Sequence, residues 1–412
     1  MFDVGLTTFM ILATSLVMLM TPGLAFFYGG LGNKKHILSI MMQSFVSLGL
    51  TTVLWFFFGY SLCFSGNMKD GTDLFGIIGN LDKAFFHGIT PRSVFSPDRN
   101  FPEYIFIAYQ MMFAIITPAL ITGAFINRIS FKAYFWFLIL WQIFIYYPFV
   151  HMVWGGGLLA VWGILDFAGG IVVHATAGFA ALASVYFVGA RKERKHAPNN
   201  IPLVAVGTAL LWFGWYGFNA GSELAVNDVT VAAFLNTDIA ASFAAITWLV
   251  IEWNTGKKKP SFIGLMTGAV AGLATITPAA GYVTIQSAAI IGIIAGMGCY
   301  VAVKYKEKRD WDDALDVWGV HGMGGVIGTI CVGLFATTTI NPGGADGLFY
   351  GGSIVFFLKE VAAILFAVVY SFAFTLFLLK GINWLIPVKA SAREEKEGLD
   401  ISYHGEIARD GS

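Results

Sequence analysis

Ionisable side chains are scarce inside the long apolar runs of this 412-residue sequence, so those that do occur draw notice first. Asp166 opens the run DFAGGIVVHATAG, and His174 lies eight residues further in. At 1.5 Å per residue a helix would set the two roughly 12 Å apart. His321 lies seven residues after Ala314 in DDALDVWGVHGMGG, roughly 10 Å from the start of its own run. If the runs cross a hydrocarbon core of about 30 Å from opposite faces, the two histidines meet near its middle. Neutral imidazoles can share one proton, one ring donating and the other accepting, and can accept a hydrogen bond from a passing N–H. An ionisable group at such depth is costly and is a functional candidate by default. Two separate histidines bonded to backbone carbonyls remain the bland alternative. A metal site lacks a third suitable ligand at that depth. Asp166 stands near a helix start, where a carboxylate caps backbone N–H groups, attracts a cation, or does both. Trp154 follows His151 and precedes Gly155, Gly156 and Gly157, as either an interfacial belt residue or a wall of a site.

The elements that must position these residues are legible from composition. The chain is 57% hydrophobic and 12% charged, against about a quarter charged in soluble domains. That contrast predicts an all-α integral membrane protein. About 20 apolar residues span a bilayer as helix, and eleven such runs are predicted at 7–31, 37–62, 104–126, 132–153, 163–190, 200–219, 237–254, 262–281, 284–304, 314–336 and 354–386. Thr277, Pro278 and Gly281 mark the turn between the eighth and ninth. The runs lack the period-2 alternation of barrel strands. The amino terminus has no basic leader and reads as the first span. The 48 glycines suit close packing of membrane helices.

Basic residues set the orientation. Lys34, Lys35, Arg128, Lys132, Arg191, Lys192, Arg194, Lys195, Lys257, Lys258, Lys259, Lys304, Lys306, Lys308 and Arg309 fall in alternate linkers, whereas Lys69, Lys83, Arg92 and Arg99 share the 64–103 segment. The amino terminus is therefore expected outside and the carboxyl end inside. The membrane domain is read as 1–388, and the polar stretch 389–412 as a cytoplasmic tail. Lys+Arg and Asp+Glu each total 25, so charge points to no nucleic-acid partner. Cys63, Cys299 and Cys331 lie in or beside apolar runs without paired spacing and read as small apolar residues. No nucleophile–base constellation or cofactor motif suggests an enzyme.

Six segments in order resemble the ammonium transporter family: HMVWGGG, DFAGGIVVHATAGFAALA, FGWYGFNAGS, ITPAAGYV, DDALDVWGVHGMGG and EGLDISYHGE. The likeness runs from TPGLAFFYGG at Thr21 to the HGE at His404. It implies two inverted five-helix repeats plus a final helix, in a homotrimer with one pore per subunit. By the same resemblance Phe113, Trp154 and Ser222 would wall an outer recruitment site supported by Asp166. Phe113 and Phe218 would stack as a gate below it, and His174 and His321 would line the pore. Tyr109 stands where many relatives carry Phe. The tail resembles a regulatory segment near which a PII-type signalling protein docks in some relatives. The expected activity is transport of ammonium or ammonia across the cell membrane; the alternative is an ammonium sensor signalling through its tail.

Overall fold

Side-chain caps start the apolar helices. Asp3, Ser130, Asn200, Ser261, Thr284 and Ser353 each accept a hydrogen bond from a backbone N–H two or three residues ahead, which a helix cannot satisfy internally. The computed structural model describes residues 2–96, 98–194, 197–255 and 258–408. Lys195, Lys257 and the last four residues of the predicted tail lie outside the described residues. Among the described residues, ten helices are long and apolar enough to cross a membrane: α1 (Val4–Leu31), α2 (Lys34–Phe64), α3 (Glu103–Phe125), α4 (Phe131–Trp162), α5 (Gly170–Val188), α6 (Ile201–Glu223), α7 (Asp228–Thr255), α9 (Ile285–Lys308), α10 (Trp318–Phe335) and α11 (Ile354–Leu385). The remaining predicted run, the eighth at 262–281, forms the shorter apolar helix α8 (Phe262–Ile276), closed by the expected turn at Thr277–Gly281.

Boundaries differ from expectation where backbone conformation overrides hydropathy. The fifth span does not begin at 163, and the tenth does not begin at 314. In the first case Gly169 adopts a left-handed φ of 118°, and in the second Asp316 adopts 59°. Each interrupts the chain, so helix starts only at Gly170 and at Trp318. α7 starts nine residues earlier than predicted because Asn227 accepts from the Thr230 N–H and begins the helix there. α4 bends at Gly155–Gly157.

α3, α5 and α10 are the most enclosed spans, and α11 lies at the periphery. α5 and α10 cross closely, since a Cβ on Gly178 would fall 2.1 Å from the Gly322 Cα. The Asp3 N–H reaches Asn100 O, putting the start of α1 at the same end as the segment between α2 and α3. That segment carries a hairpin of β1 (Val94–Ser96) and β2 (Arg99–Pro102); its side is called here the loop end.

The linkers α1–α2, α3–α4, α5–α6 and α9–α10 gather at the opposite, tail end. The Ser130 N–H donates to Val388 O, and the Ala390 N–H to Arg128 O. Glu395, in the short helix α12 (Ala392–Glu397), accepts from the Lys192 N–H. Asp400 accepts from the Leu38 and Ser39 N–H groups at the start of α2. Asp312 joins three linkers through Arg128 and Arg191. Burial alone would push its carboxyl up, but the Arg191 hydrogen bonds and the charges of Arg128 and Arg191 outweigh it and hold the group down at about 2. Burial in turn lowers the Arg128 guanidinium to about 10.

Candidate functional site

Two Asp-to-His units build the centre of the molecule. In the first, the Asp166 carboxylate accepts from the N–H groups of Gly169, Gly170, Ile171 and Val172 at 2.9, 2.6, 2.8 and 3.1 Å. A carboxylate has about four accepting positions, so Asp166 is consumed as a cap and keeps none for a cation. In the second, Asp313 accepts from the Val317 and Trp318 N–H groups at 3.1 and 2.8 Å. Each cap opens a π-helical turn, Gly170–Ala175 and Trp318–Gly322. Such turns recur at functional sites because the widened ring re-aims side chains. The turns carry His174 and His321, both buried, with Nδ1 atoms 3.2 Å apart and rings nearly parallel at 17°. One Nδ1 must then be protonated and the other bare for a hydrogen bond to form.

Above this pair, towards the loop end, the Phe113 and Phe218 rings stack at 4.2 Å between centroids and 32° between planes. Trp154 meets Phe113 edge-on at 6.0 Å and 87°. Its indole N–H donates to Asp166 O at 2.8 Å, which ties the α4 bend to the first cap. Phe113, Trp154, Ser222 and Gln110 line a loop-end cavity of about 290 Å³. Ser222 donates its hydroxyl hydrogen to Phe218 O at 2.9 Å, leaving oxygen lone pairs as its remaining valence. Below the stacked rings, Phe218, Trp215, His174 and His321 line an apolar slot of only about 10 Å³. His321 also borders a tail-end cavity of about 200 Å³ with Tyr28, Arg191 and Asp316. Two cavities thus face each other across a stacked aromatic pair and a histidine pair.

All seven residues singled out from sequence lie along this line, with Asp166 behind the wall rather than on it. One contributor was missed, and Tyr109, noted from the sequence, takes a bracing role. Trp215 stacks on His174 at 5.5 Å and 19°, anchored by its N–H on Thr277 Oγ1; its only signal was the helical i, i+3 spacing to Phe218. Tyr109 spends its hydroxyl on the α6 end, 2.9 Å from Gly217 O and 3.0 Å from Phe218 O. It therefore braces the helix that carries Phe218. No group of three or more His, Cys, Asp or Glu suited to a metal occurs among the described residues.

Known proteins share this sequence and fold. Residues 8–409 match the family model described as the Ammonium Transporter Family. The chain is 42% identical to the ammonium transporter Amt1 of Archaeoglobus fulgidus, over 98% of this chain and 99% of that one. It is 43% identical to an ammonium transporter of Bacillus subtilis, over 98% of each. Among solved structures, Saccharomyces cerevisiae Mep2 superposes with a TM-score of 0.87 at 34% identity, covering 95% of this chain and 88% of Mep2. A protein described as a sensor Amt protein reaches 0.86 at 29% identity, covering 97% and 98%. Matched along nearly its whole length in both sequence and fold, the chain belongs to the ammonium transporter family, a family of membrane transporters rather than enzymes.

Proposed function

We propose that the chain moves ammonium across a cell membrane by recruiting the cation at the loop end, removing a proton there and passing neutral ammonia along the histidine pair, while the proton crosses by a separate path and rejoins the ammonia at the tail end, so that one charge moves per ammonium. The observation that carries this reading is the His174–His321 contact of 3.2 Å, lying between two cavities and beneath the stacked Phe113 and Phe218 rings. Trp154 and Phe113 offer π-faces and Ser222 an acceptor, a combination that attracts a cation able to donate hydrogen bonds. An ion that keeps its charge is penalised in the dry slot. Potassium cannot shed a proton, whereas ammonium can. His174 Nε2 is buried without a protein partner among the described residues and suits a passing ammonia molecule. In this reading the loop end faces outwards, and residues 1–388 form the membrane domain. The tail 389–412 lies in the cytoplasm, where a PII-type protein is the expected regulatory partner, and the assembly is a homotrimer.

A sensor is the second reading, because a protein described as a sensor shares the fold as closely as Mep2 does. Continuity favours transport: a receptor needs a binding cavity but no slot leading to a second one. Reconstitution in liposomes, with recording of charge movement after an ammonium pulse, separates the two. A saturable signal for ammonium but not potassium is expected, and His174→Ala should admit potassium more readily. Unchanged potassium discrimination in that variant would remove the histidines from the mechanism. Ammonium binding without current or luminal alkalinisation would favour the sensor.

A further inference from the structure

His151 is a further fully buried histidine, one turn before Trp154 and outside the histidine pair. Its Nδ1 lies 2.9 Å from Cys63 O and its Nε2 lies 2.9 Å from Asp73 Oδ2. The side chains of His151 and Asp73 are 0% and 3% exposed. Both ring nitrogens thus face oxygen acceptors, and a carbonyl can only accept. Nδ1 must carry a hydrogen, and a proton must also sit between Nε2 and Oδ2. The ring is accordingly held at both nitrogens, to the end of α2 and to the segment that follows it.

The backbone around it is fitted with little slack. His151 O accepts from the Gly155 and Gly157 N–H groups, which wraps the three-glycine bend around the ring. A Cβ on Gly155 would lie 2.0 Å from Cys63 O, and one on Gly157 would lie 2.4 Å from Gly76 O. The 65–80 segment closes over the bend through Met68 N–H to Gly156 O and Leu158 N–H to Gly76 O. Asp73 is anchored within that segment by accepting from the Gly76 N–H at 3.1 Å. Trp154 lies between His151 and the bend, so the same contacts fix where its indole can point.

We infer that His151 and Asp73 are positioning residues for Trp154, setting the affinity of the loop-end cavity for its cation. The inference rests on the proposed role of Trp154 as a wall of that cavity. Neither residue lines the cavity, so the effect must pass through the bend.

The test is ammonium uptake by Trp154→Ala, Asp73→Ala, Asp73→Asn and the Trp154→Ala/Asp73→Ala double variant, at matched amounts of protein. Misplacing one aromatic face should raise KM roughly 5- to 30-fold, with the maximal rate within about twofold. Asp73→Ala is expected to show that split. Asp73→Asn should behave as wild type, because its amide can pair with a neutral His151 Nε2 and hold the segment. The double variant should be no worse than Trp154→Ala alone, the signature of residues acting through one another. An unchanged KM in Asp73→Ala, or additive effects in the double variant, overturns the inference. So do equal defects in Asp73→Ala and Asp73→Asn, which would assign the effect to long-range charge. If Trp154→Ala itself leaves KM unchanged, the reading of the cavity falls first and separately. Should Asp73→Ala fail to accumulate, Asp73→Ser carries the same comparison with a smaller loss of volume.

Discussion

Replacing Asp166 distinguishes a carboxylate that holds backbone from one that holds a cation. Its two oxygens accept four N–H groups at 2.6–3.1 Å. A hydrogen bond to a charged group contributes about 1.5–3 kcal/mol net. Because the four bonds share one charge, the low end applies, and losing all of them in Asp166→Ala amounts to about 6 kcal/mol. Asp166→Asn keeps one oxygen and turns an NH2 group towards two donors, so it should lose about half of that, roughly 3 kcal/mol. Total stability of folded domains is typically about 5–15 kcal/mol. The alanine variant should therefore leave little folded protein, while the asparagine variant survives with weakened heat resistance. The assay is the fraction of detergent-solubilised protein that stays monodisperse on size exclusion after a temperature ramp, followed by uptake measurements on the survivors. If Asp166→Asn resists heat like wild type yet transports ammonium poorly, the carboxylate acts on the cation and the capping argument fails.

Other perturbations target single contacts. Gly178→Ala places a methyl 2.1 Å from the Gly322 Cα; although alanine is about 1 kcal/mol better than glycine in a helix, uptake should fall at least about tenfold as the helices part. Full activity at normal expression would contradict the close crossing. At the tail end, Asp312→Asn removes a carboxyl held down at about 2, a shift equivalent to about 2 kcal/mol. That stabilisation is present above about pH 4 and is lost as pH falls towards 2, so thermal curves of the variant and wild type should differ at pH 7 and converge in acid. Glu360 is buried in α11, and its Oε1 accepts from the Leu165 N–H at 2.7 Å. Glu360→Gln can keep that bond, whereas Glu360→Leu strands the donor at a cost of about 1–3 kcal/mol; equal heat resistance of the two would show that the bond is unimportant.

What the sequence disclosed and what it hid follow from range. Hydropathy located every span, because a run of side chains reports its own burial. It misplaced the starts of α5 and α10, because apolar composition is blind to a left-handed residue such as Gly169 or Asp316. His174 and His321 do meet, but not through the helical rise counted from Asp166 and Ala314, because helix begins only at Gly170 and Trp318. Measuring His321 from Ala314, however, hid the role of Asp313, whose side chain reaches forward to the helix start. Trp215 was lost among many aromatics, for nothing local distinguishes a ring against histidine from a ring against lipid. The Asp312 cluster joins residues more than a hundred positions apart, and no spacing rule reaches that far.

Numbered from Asp313, the two central units become the same device. In both, a left-handed residue stands three positions after the aspartate, at Gly169 and Asp316, and the histidine five positions after that. In both, a glycine follows the histidine by four, in HATAG and HGMGG. Those glycines pack reciprocally. A Cβ on Gly178 would lie 2.1 Å from Gly322, the residue after His321; one on Gly325 would lie 2.7 Å from the nitrogen of Ala175, the residue after His174. Exchanging the two units therefore preserves the contact, as an approximate two-fold axis between the histidines requires. Such an axis explains why the rings are nearly parallel and why like atoms, Nδ1 and Nδ1, face one another. A proton shared between like atoms breaks that symmetry: only one ring can donate at a time, and the other must offer its lone pair. The rings' two tautomeric arrangements are then close in energy by construction, which suits a pair that must exchange hydrogen bonds with a passing molecule without settling on either side.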